Sequence, residues 1–534
     1  MQYKYKENAQ MSAIITDKFR ILNVSNFVDS INNSSNSYYV FVGLSNPESS
    51  GFGRNPNWND FPPNPTDSID YLNHYSSTML FGKKITSANV RRVVRRIDWI
   101  SGQTYEMYRP DYSGINSAPT TGAIRLYDAN YYVINSDYRV YICIDNGSSG
   151  VKRTGNASQI EPNFTDLEPV TLDDGYVWKY LYSLSPSDIV KFDSTEYITV
   201  PNDWSTSTNS QIQAVRENGD SSLNENQIKH VYIENKGKGY TPGTKSCNIV
   251  GDGSGATASV TVDLDSTISD VVVTSGGKNY TYALVDLGTT SNQLDTYAEL
   301  IPIIPPSKGH GFDIYQELGT DRLLIYARFD DSTKDFPVDT KFAQIGILKN
   351  PTVYDSTGIS TTPYTQNDFS AVYAMRLDSD SVTGESTLAI GDEIKQNVSG
   401  GVAYGYVVSY DKETKVLKYT KDRSLYYGEG GISHKDYVGI SSLFNSSTNS
   451  SLDFEPYQSS QVSNESGFAA LIMNQNDSTV TVGNKIINLG VEFSAGLANP
   501  EINNKSGEII YIDNRSLVSR NSRQKEDIKI ILEF

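Results

Sequence analysis

The glycine-rich string Gly251-Asp252-Gly253-Ser254-Gly255 has the spacing closest to a phosphate cradle in this chain. Backbone N–H groups of such a turn can hold phosphate oxygens, but the chemistry also needs a following Lys-Ser or Lys-Thr, or a helix opening on the turn. Here Ala256-Thr257-Ala258 follows and leads into an alternating strand pattern, so the string reads as a β-turn. The four histidines, His74, His230, His310 and His434, are far apart, and none has a second ligand type at metal-binding spacing. Asp263 and Asp265 match a fragment of a calcium loop that lacks its glycine and its distal glutamate. Asp173-Asp174 precedes Gly175, which is turn chemistry. No nucleophile elbow is present. A glycosidase would need a carboxylate pair, and the sequence offers only an abundance of carboxylates. No catalytic residue, metal site or cofactor is therefore expected.

One dense cluster of reactive types remains: Arg91, Arg92, Arg95 and Arg96, close to Trp99. Nucleic-acid binding would need interleaved aromatic residues and a basic domain around the patch, and neither is present. Guanidinium forks paired with carboxylates at a subunit contact fit better. Arg91, Arg92, Arg95, Arg96, Trp99 and Trp178 are the candidate interface residues. The net charge of −18 opposes binding to nucleic acid and to anionic membrane. The two cysteines, Cys143 and Cys247, fall in different strand-like stretches and read as buried free thiols of a protein made in a reducing cytoplasm. No apolar run is long enough to span a membrane, and Met1–Gln10 lacks a signal-peptide core. Tyrosine numbers 37 against 18 phenylalanines, a balance that suits sheet edges and protein contacts as well as ordinary β-rich folds.

The elements follow from periodicity. Residues 12–31 predict an amphipathic helix, with Ile15, Phe19, Leu22 or Ile21, Phe27, Val28 and Ile31 toward the core. Tyr38–Leu44 predicts a strand, and the proline-rich Asn46–Pro65 a loop. Thr66 or Asp67 predicts an N-cap for a helix reaching about Leu80. Strands are expected at Ala123–Leu126, Tyr131–Val133, Arg139–Ile144, Tyr176–Leu184 and Tyr197–Val200. Val231–Thr241 (VYIENKGKGYT) and Val271–Thr281 (VVVTSGGKNYT) are near copies, too few for a solenoid but suited to a small β-domain. A turn is expected at Phe336–Asp339, hairpins over Ala389–Lys418, a Ser/Asn-rich loop at Phe444–Ser463, and closing strands at Glu508–Ile512 and Ile528–Phe534.

Several strings, taken in order, resemble the baseplate wedge subunit of T-even-type contractile-tailed phages, the gene-product-eight type. They are Ala13–Arg20 (AIITDKFR), Asn26-Phe27 with Ser30-Ile31, Pro65–Ser68, Arg95-Arg96 with Asp98-Trp99, Asp174–Leu181 (DGYVWKYL), Glu196–Ile198 with Val200-Pro201, Phe342–Pro351 (FAQIGILKNP), Gly507–Tyr511, Asn514-Arg515 and Ile528–Phe534. The resemblance implies a non-catalytic assembly protein that forms a homodimer within each wedge. Its implied partners are other baseplate wedge proteins and fibre-network proteins, and its implied location is the virion, in the tail baseplate. About 205–305 and 355–460 have no counterpart in compact members of that family.

The expected fold class is α+β and β-rich: a terminal α/β domain built from both chain ends, carrying inserted antiparallel β-sandwich or barrel domains. The expected domains are 1–100 with 462–534, 101–204 with 306–354, the insert 205–305 with its Gly-Lys repeat, and the insert 355–461. The expected function is a structural wedge component acting through assembly and baseplate rearrangement. A tail fibre or adhesin that binds host surface glycans is the alternative, although neither a long repeat nor a coiled-coil stem is present.

Overall fold

The computed structural model describes residues 14–47, 58–288, 295–330, 340–356, 360–421, 453–456, 460–521 and 524–534, with the backbone alone of 425–428, 431–434, 444–445 and 450–451. The chain is α+β and β-rich, and its sheets are antiparallel. It divides into two compact units: Met1–Phe27 with Arg91–Leu324 and Ile530–Phe534, and Val28–Val90 with Ile325–Lys529. The expected turn at Phe336–Asp339 lies outside the described residues, as do 446–449, 452 and 457–459 of the expected loop Phe444–Ser463. Within that stretch Phe444–Asn445 pairs with Ser450–Ser451, and Val462–Ser463 is a strand, so it is not all loop.

The unit containing Val28–Val90 draws strands from distant parts of the chain into one five-stranded sheet. Its order is Asp368–Ser370, Met79–Ile85, Tyr38–Gly43, Lys341–Lys349, Glu508–Ser519. Tyr38–Gly43 is buried at every position and paired on both edges. That is why its text is continuously apolar rather than alternating: both faces are covered. Gln344 Nε2 donates to Asn514 Oδ1 at 2.8 Å across two of these strands, and Trp58 Nε1 donates to the Arg515 carbonyl at 2.8 Å. A second sheet of seven strands includes Glu393–Val398, Gly401–Asp411, Val416–Thr420 and Tyr373–Arg376 around a core of Met375, Ile394, Val407, Leu417 and Phe468.

Two helices differ from expectation. The first spans Asp17–Asn32. Its buried stripe is Ile21, Val24, Val28 and Ile31, while Ile15, Phe19 and Leu22 are 61%, 51% and 53% exposed. Ile15 precedes the helix; on the helix itself the core takes the stripe that Val24 continues and leaves Phe19 and Leu22 outward. The second helix is Ile69–Ser77, shorter than expected, with Ser68 rather than Thr66 or Asp67 as its N-cap. It stops because Met79–Ile85, including the fully buried Leu80, belongs to the sheet.

In the other unit, Tyr132–Ile134, Arg139–Asp145, Val177–Ser183 and Val170–Thr171 form a four-stranded sheet. Much of the tyrosine excess is spent here. Tyr131, Tyr132, Tyr141, Tyr176 and Tyr182 are buried, and their hydroxyls donate to the carbonyls of Glu317, Arg95, Phe164, Asn156 and Thr199 at 2.7–2.8 Å. Each ring fills core volume while its hydroxyl satisfies a main-chain carbonyl: those of Phe164 and Asn156 in loops, those of Arg95 and Thr199 in strands, and that of Glu317 in a helix. Ala123–Leu126 is not a strand. Ala118 N–H bonds to the Ala123 carbonyl and Gly122 N–H to the Ala118 carbonyl, so local turns use the backbone groups a sheet would need.

The near copies fold as equivalent halves of one module within this same unit. Its strands are Val231–Asn235, Gly243–Gly251, Ser254–Val262, Ile268–Lys278, Ala283–Asp286 and Glu299–Pro302. The first strand of each copy pairs with the third strand of a copy: Val231–Asn235 with Glu299–Pro302, and Ile268–Lys278 with Ser254–Val262. The registers correspond. Ile233↔Leu300 and Tyr232↔Ile301 repeat as Val273↔Ala258 and Val272↔Ser259, and a bulge falls at Glu299/Leu300 and at Thr257/Ala258. The two middle strands pair with each other. Gly237 and Gly239 in one copy, and Gly277 and Asn279 in the other, have positive φ. A Cβ on Gly237 would lie 2.6 Å from the Tyr240 ring, and one on Gly277 2.7 Å from the Tyr280 ring. Glycine is needed for both the conformation and the close approach. Each buried tyrosine then accepts a hydrogen bond at its hydroxyl, from Ala298 N–H (2.8 Å) and Ala256 N–H (3.3 Å). The Gly251–Gly255 string is the hairpin between the second and third strands of the first copy, and Asp252 there accepts from Thr281 N–H and Tyr282 N–H.

Candidate subunit-interface site

The text VRRVVR forms the strand Val90–Arg95, whose Val90, Val93 and Val94 are buried. Residues 92–95 pair with Tyr197–Val200. The pairing fixes where each guanidinium points. Arg91 Nε donates to Asp188 Oδ1 at 2.9 Å, and its guanidinium lies 5.1 Å from the Phe192 ring centre. Arg92 is buried, donates to Ser25 Oγ at 3.2 Å, and lies over the Tyr315 ring at 4.1 Å. Arg95 Nη2 donates to the carbonyls of Tyr127 and Ala129. Arg96 holds Asp98 through Nε at 2.9 Å and Asp193 through Nη1 at 2.6 Å. The four arginines thus make structural contacts within their own chain.

Half-buried Trp99 donates from Nε1 to Ser158 Oγ at 3.0 Å. Trp178, on the strand Val177–Ser183, is fully buried, stacked on Tyr176 at 5.3 Å and meeting Tyr105 edge-on at 5.9 Å. The arginines, Asp98 and Trp99 share one region, and Trp178 belongs to the core against which Trp99 packs. Asp174 is a loop organiser: its carboxylate accepts from Ser158 Oγ and from the N–H groups of Gln159, Ile160 and Tyr176. Burial pushes its pKa up, but these donors outweigh it and leave the carboxyl below the ordinary range.

Sequence reading missed a buried polar cluster in the same unit. Glu317 accepts from Gly311 N–H at 2.7 Å and lies 2.5 Å from His310 Nδ1, both side chains being buried. Lys179 is fully buried, donates to Leu167 O and Asn218 Oδ1, and is lowered to about 8, chiefly by burial. Glu168, exposed at the margin of this cluster, accepts from Lys229, Asn218 and Asn226. Burial raises its pKa, but these donors and the Lys229 charge prevail and hold it at about 2. The only signal was the position of each residue between apolar strands, which single-chain text does not reveal. Because the folded carboxyl is depressed, its stabilisation is complete above its unfolded value near pH 4.5 and is lost as pH falls toward 2. Glu168→Gln is expected to remove that acid dependence, by about 1 kcal/mol because the group is partly solvent-screened. Urea midpoints of both proteins across this pH range check it: the wild-type slope should exceed that of the variant.

Among the described residues, no group of three His, Cys, Asp or Glu side chains is placed to hold a metal ion, and no helix is long and apolar enough to cross a membrane. Cys143 and Cys247 are buried free thiols. Asp263 accepts from Asp265 N–H and Thr267 N–H and so closes a turn.

Residues 13–160, which include the arginine strand and Trp99, match the family described as "Bacteriophage T4, Gp8". The chain is 30% identical over 217 residues to the baseplate wedge protein gp8 of Enterobacteria phage T4, an alignment covering 35% of this chain and 60% of that protein. It thus resembles the T4-type wedge protein and spans less than two thirds of its length.

Proposed function

We propose that this chain is a structural component of the baseplate wedge of a contractile phage tail, working by protein–protein assembly and by rearrangement when the tail engages its host. The likeness to the T4 wedge protein carries the reading. The many self-satisfied arginines and tyrosines support it, because they make a rigid scaffold. Its place is the virion baseplate, among other wedge proteins and fibre-network proteins.

Within the wedge the chain forms a homodimer. The exposed Phe19 and Leu22, three apart on the helix and preceded by exposed Ile15, support this: a second copy covers them. Sedimentation should give a dimer for the wild type, and Phe19→Asp with Leu22→Asp should give a monomer of unchanged circular dichroism. A stable wild-type trimer would point to a fibre instead. Half-buried Arg91, Arg95, Arg96 and Trp99 lie at a wedge contact, while buried Arg92 and Trp178 hold that face from within. Charge reversal at Arg96 is expected to cut co-assembly with neighbouring wedge proteins at least tenfold. Intact assembly would remove these residues from the contact.

Residues 205–305 and 355–461 are insertions on the wedge framework. Both lie outside the matched residues 13–160, and the first contains the self-paired module with its own core of Ile249, Ala258, Val260, Ile268 and Tyr280.

A further inference from the structure

The duplicated module uses one of two equivalent faces inside its own chain. In the first copy, the outer edge and outer face of Val231–Asn235 are covered. Gly150 N–H donates to the Ile233 carbonyl at 3.0 Å, adding the 147–155 loop to the strand edge. A Cβ on Gly150 would lie 1.8 Å from the Glu234 carbonyl oxygen, so only glycine can approach this closely. The Arg109 guanidinium lies over Tyr232 at 4.2 Å, and His230 Nδ1 lies 3.7 Å from Asp145.

The shared register identifies the counterparts of these residues in the second copy: Asp270 for His230, Val272 for Tyr232, Val273 for Ile233 and Thr274 for Glu234. Burial differs at each outward position. Tyr232 is buried and Val272 is 54% exposed; His230 and Glu234 are half-buried, while Asp270 and Thr274 are exposed. Ile268–Lys278 is the terminal strand of its sheet. The segment before the module meets it at its far end: main-chain bonds join Gly276 and Gly277 to Glu225, Gln227 and Ile228, Ser275 Oγ donates to the Glu225 carbonyl, and Lys278 pairs with Glu225. Among the described residues, no backbone group bonds to the outward edge of Val271–Thr274. This short edge carries no proline or lysine, and register shifts bulge the strand at either end of it.

We propose that Val271–Thr274 is a docking edge for an extended, glycine-bearing basic segment of another protein, added as a further strand. The occupant is specified by the equivalent face. There, a glycine-containing loop supplies the main-chain bond and a side chain stacks on the position that Val272 holds here. The exposed Asp270 calls for a cation where the first copy sets His230 against Asp145. Main-chain bonds would give the affinity and the Val272 and Asp270 contacts the selectivity. That the other protein is a baseplate component rests on the function proposed above.

Amide hydrogen exchange on the free full-length chain and on purified baseplates tests this. Exchange at 271–274 is expected to slow at least tenfold in the particle. Val272→Lys with Thr274→Lys, both at exposed positions, should abolish that protection while the free chain sediments as before. A chain present in baseplates with 271–274 exchanging as in the free protein overturns the docking edge and leaves the wedge function standing. A chain absent from baseplates overturns both.

Discussion

Trp178→Ala is expected to lower the unfolding free energy of its unit by about 3–5 kcal/mol, the usual cost of emptying a large aromatic site. Trp178 is fully buried, Tyr176 stacks flat on it, and Tyr105 meets it edge-on. Both tyrosines are tied to the surrounding loops, Tyr176 through Asn156 O and Tyr105 through Asp98 O. The walls are therefore pinned and collapse poorly into the space, which favours the upper end of that range. The urea midpoint should fall with little change in slope, and Trp99→Ala, at a half-buried site, should fall less. An equal loss for the two tryptophans would contradict the structure.

Arg520→Ala should cost a similar amount, about 3–5 kcal/mol, by a different route. Arg520 is buried, and its Nε donates to Glu526 Oε2 at 2.5 Å, Glu526 being buried as well. Removing the guanidinium leaves a carboxylate away from water with its charge uncompensated. A double variant, Arg520→Met with Glu526→Met, should recover most of the loss because both charges go together. Chemical denaturation of the single and double variants measures the coupling. A single variant as stable as the wild type would show that the pair is solvated.

The sequence told most where local text and tertiary role agreed. Tyr38–Gly43, Arg139–Asp145 and Tyr197–Val200 are strands with nearly the expected bounds, because β-branched and aromatic runs there are also buried. The two near copies were visible as text, but their exchange of third strands was not, since strand pairing is a long-range choice. The first helix was legible and its orientation was not. Phe19 with Leu22 and Ile21-Val24-Val28-Ile31 are both apolar on the helix, and only packing decides between them. The arginine cluster was legible as a feature, whereas its partners, Asp188, Asp193, Ser25 and Tyr315, come from elements far along the chain. The tyrosine count suited protein contacts and an ordinary β-rich fold alike, and several of these hydroxyls bond main-chain carbonyls inside the core.

The most direct test of the wedge function is quantitative mass spectrometry of purified virions separated into heads, tail tubes, fibres and baseplates. The chain is expected in the baseplate fraction, in fixed ratio to the other wedge proteins and absent from detached fibres. Recovery in the fibre fraction alone, with none in baseplates, would contradict it.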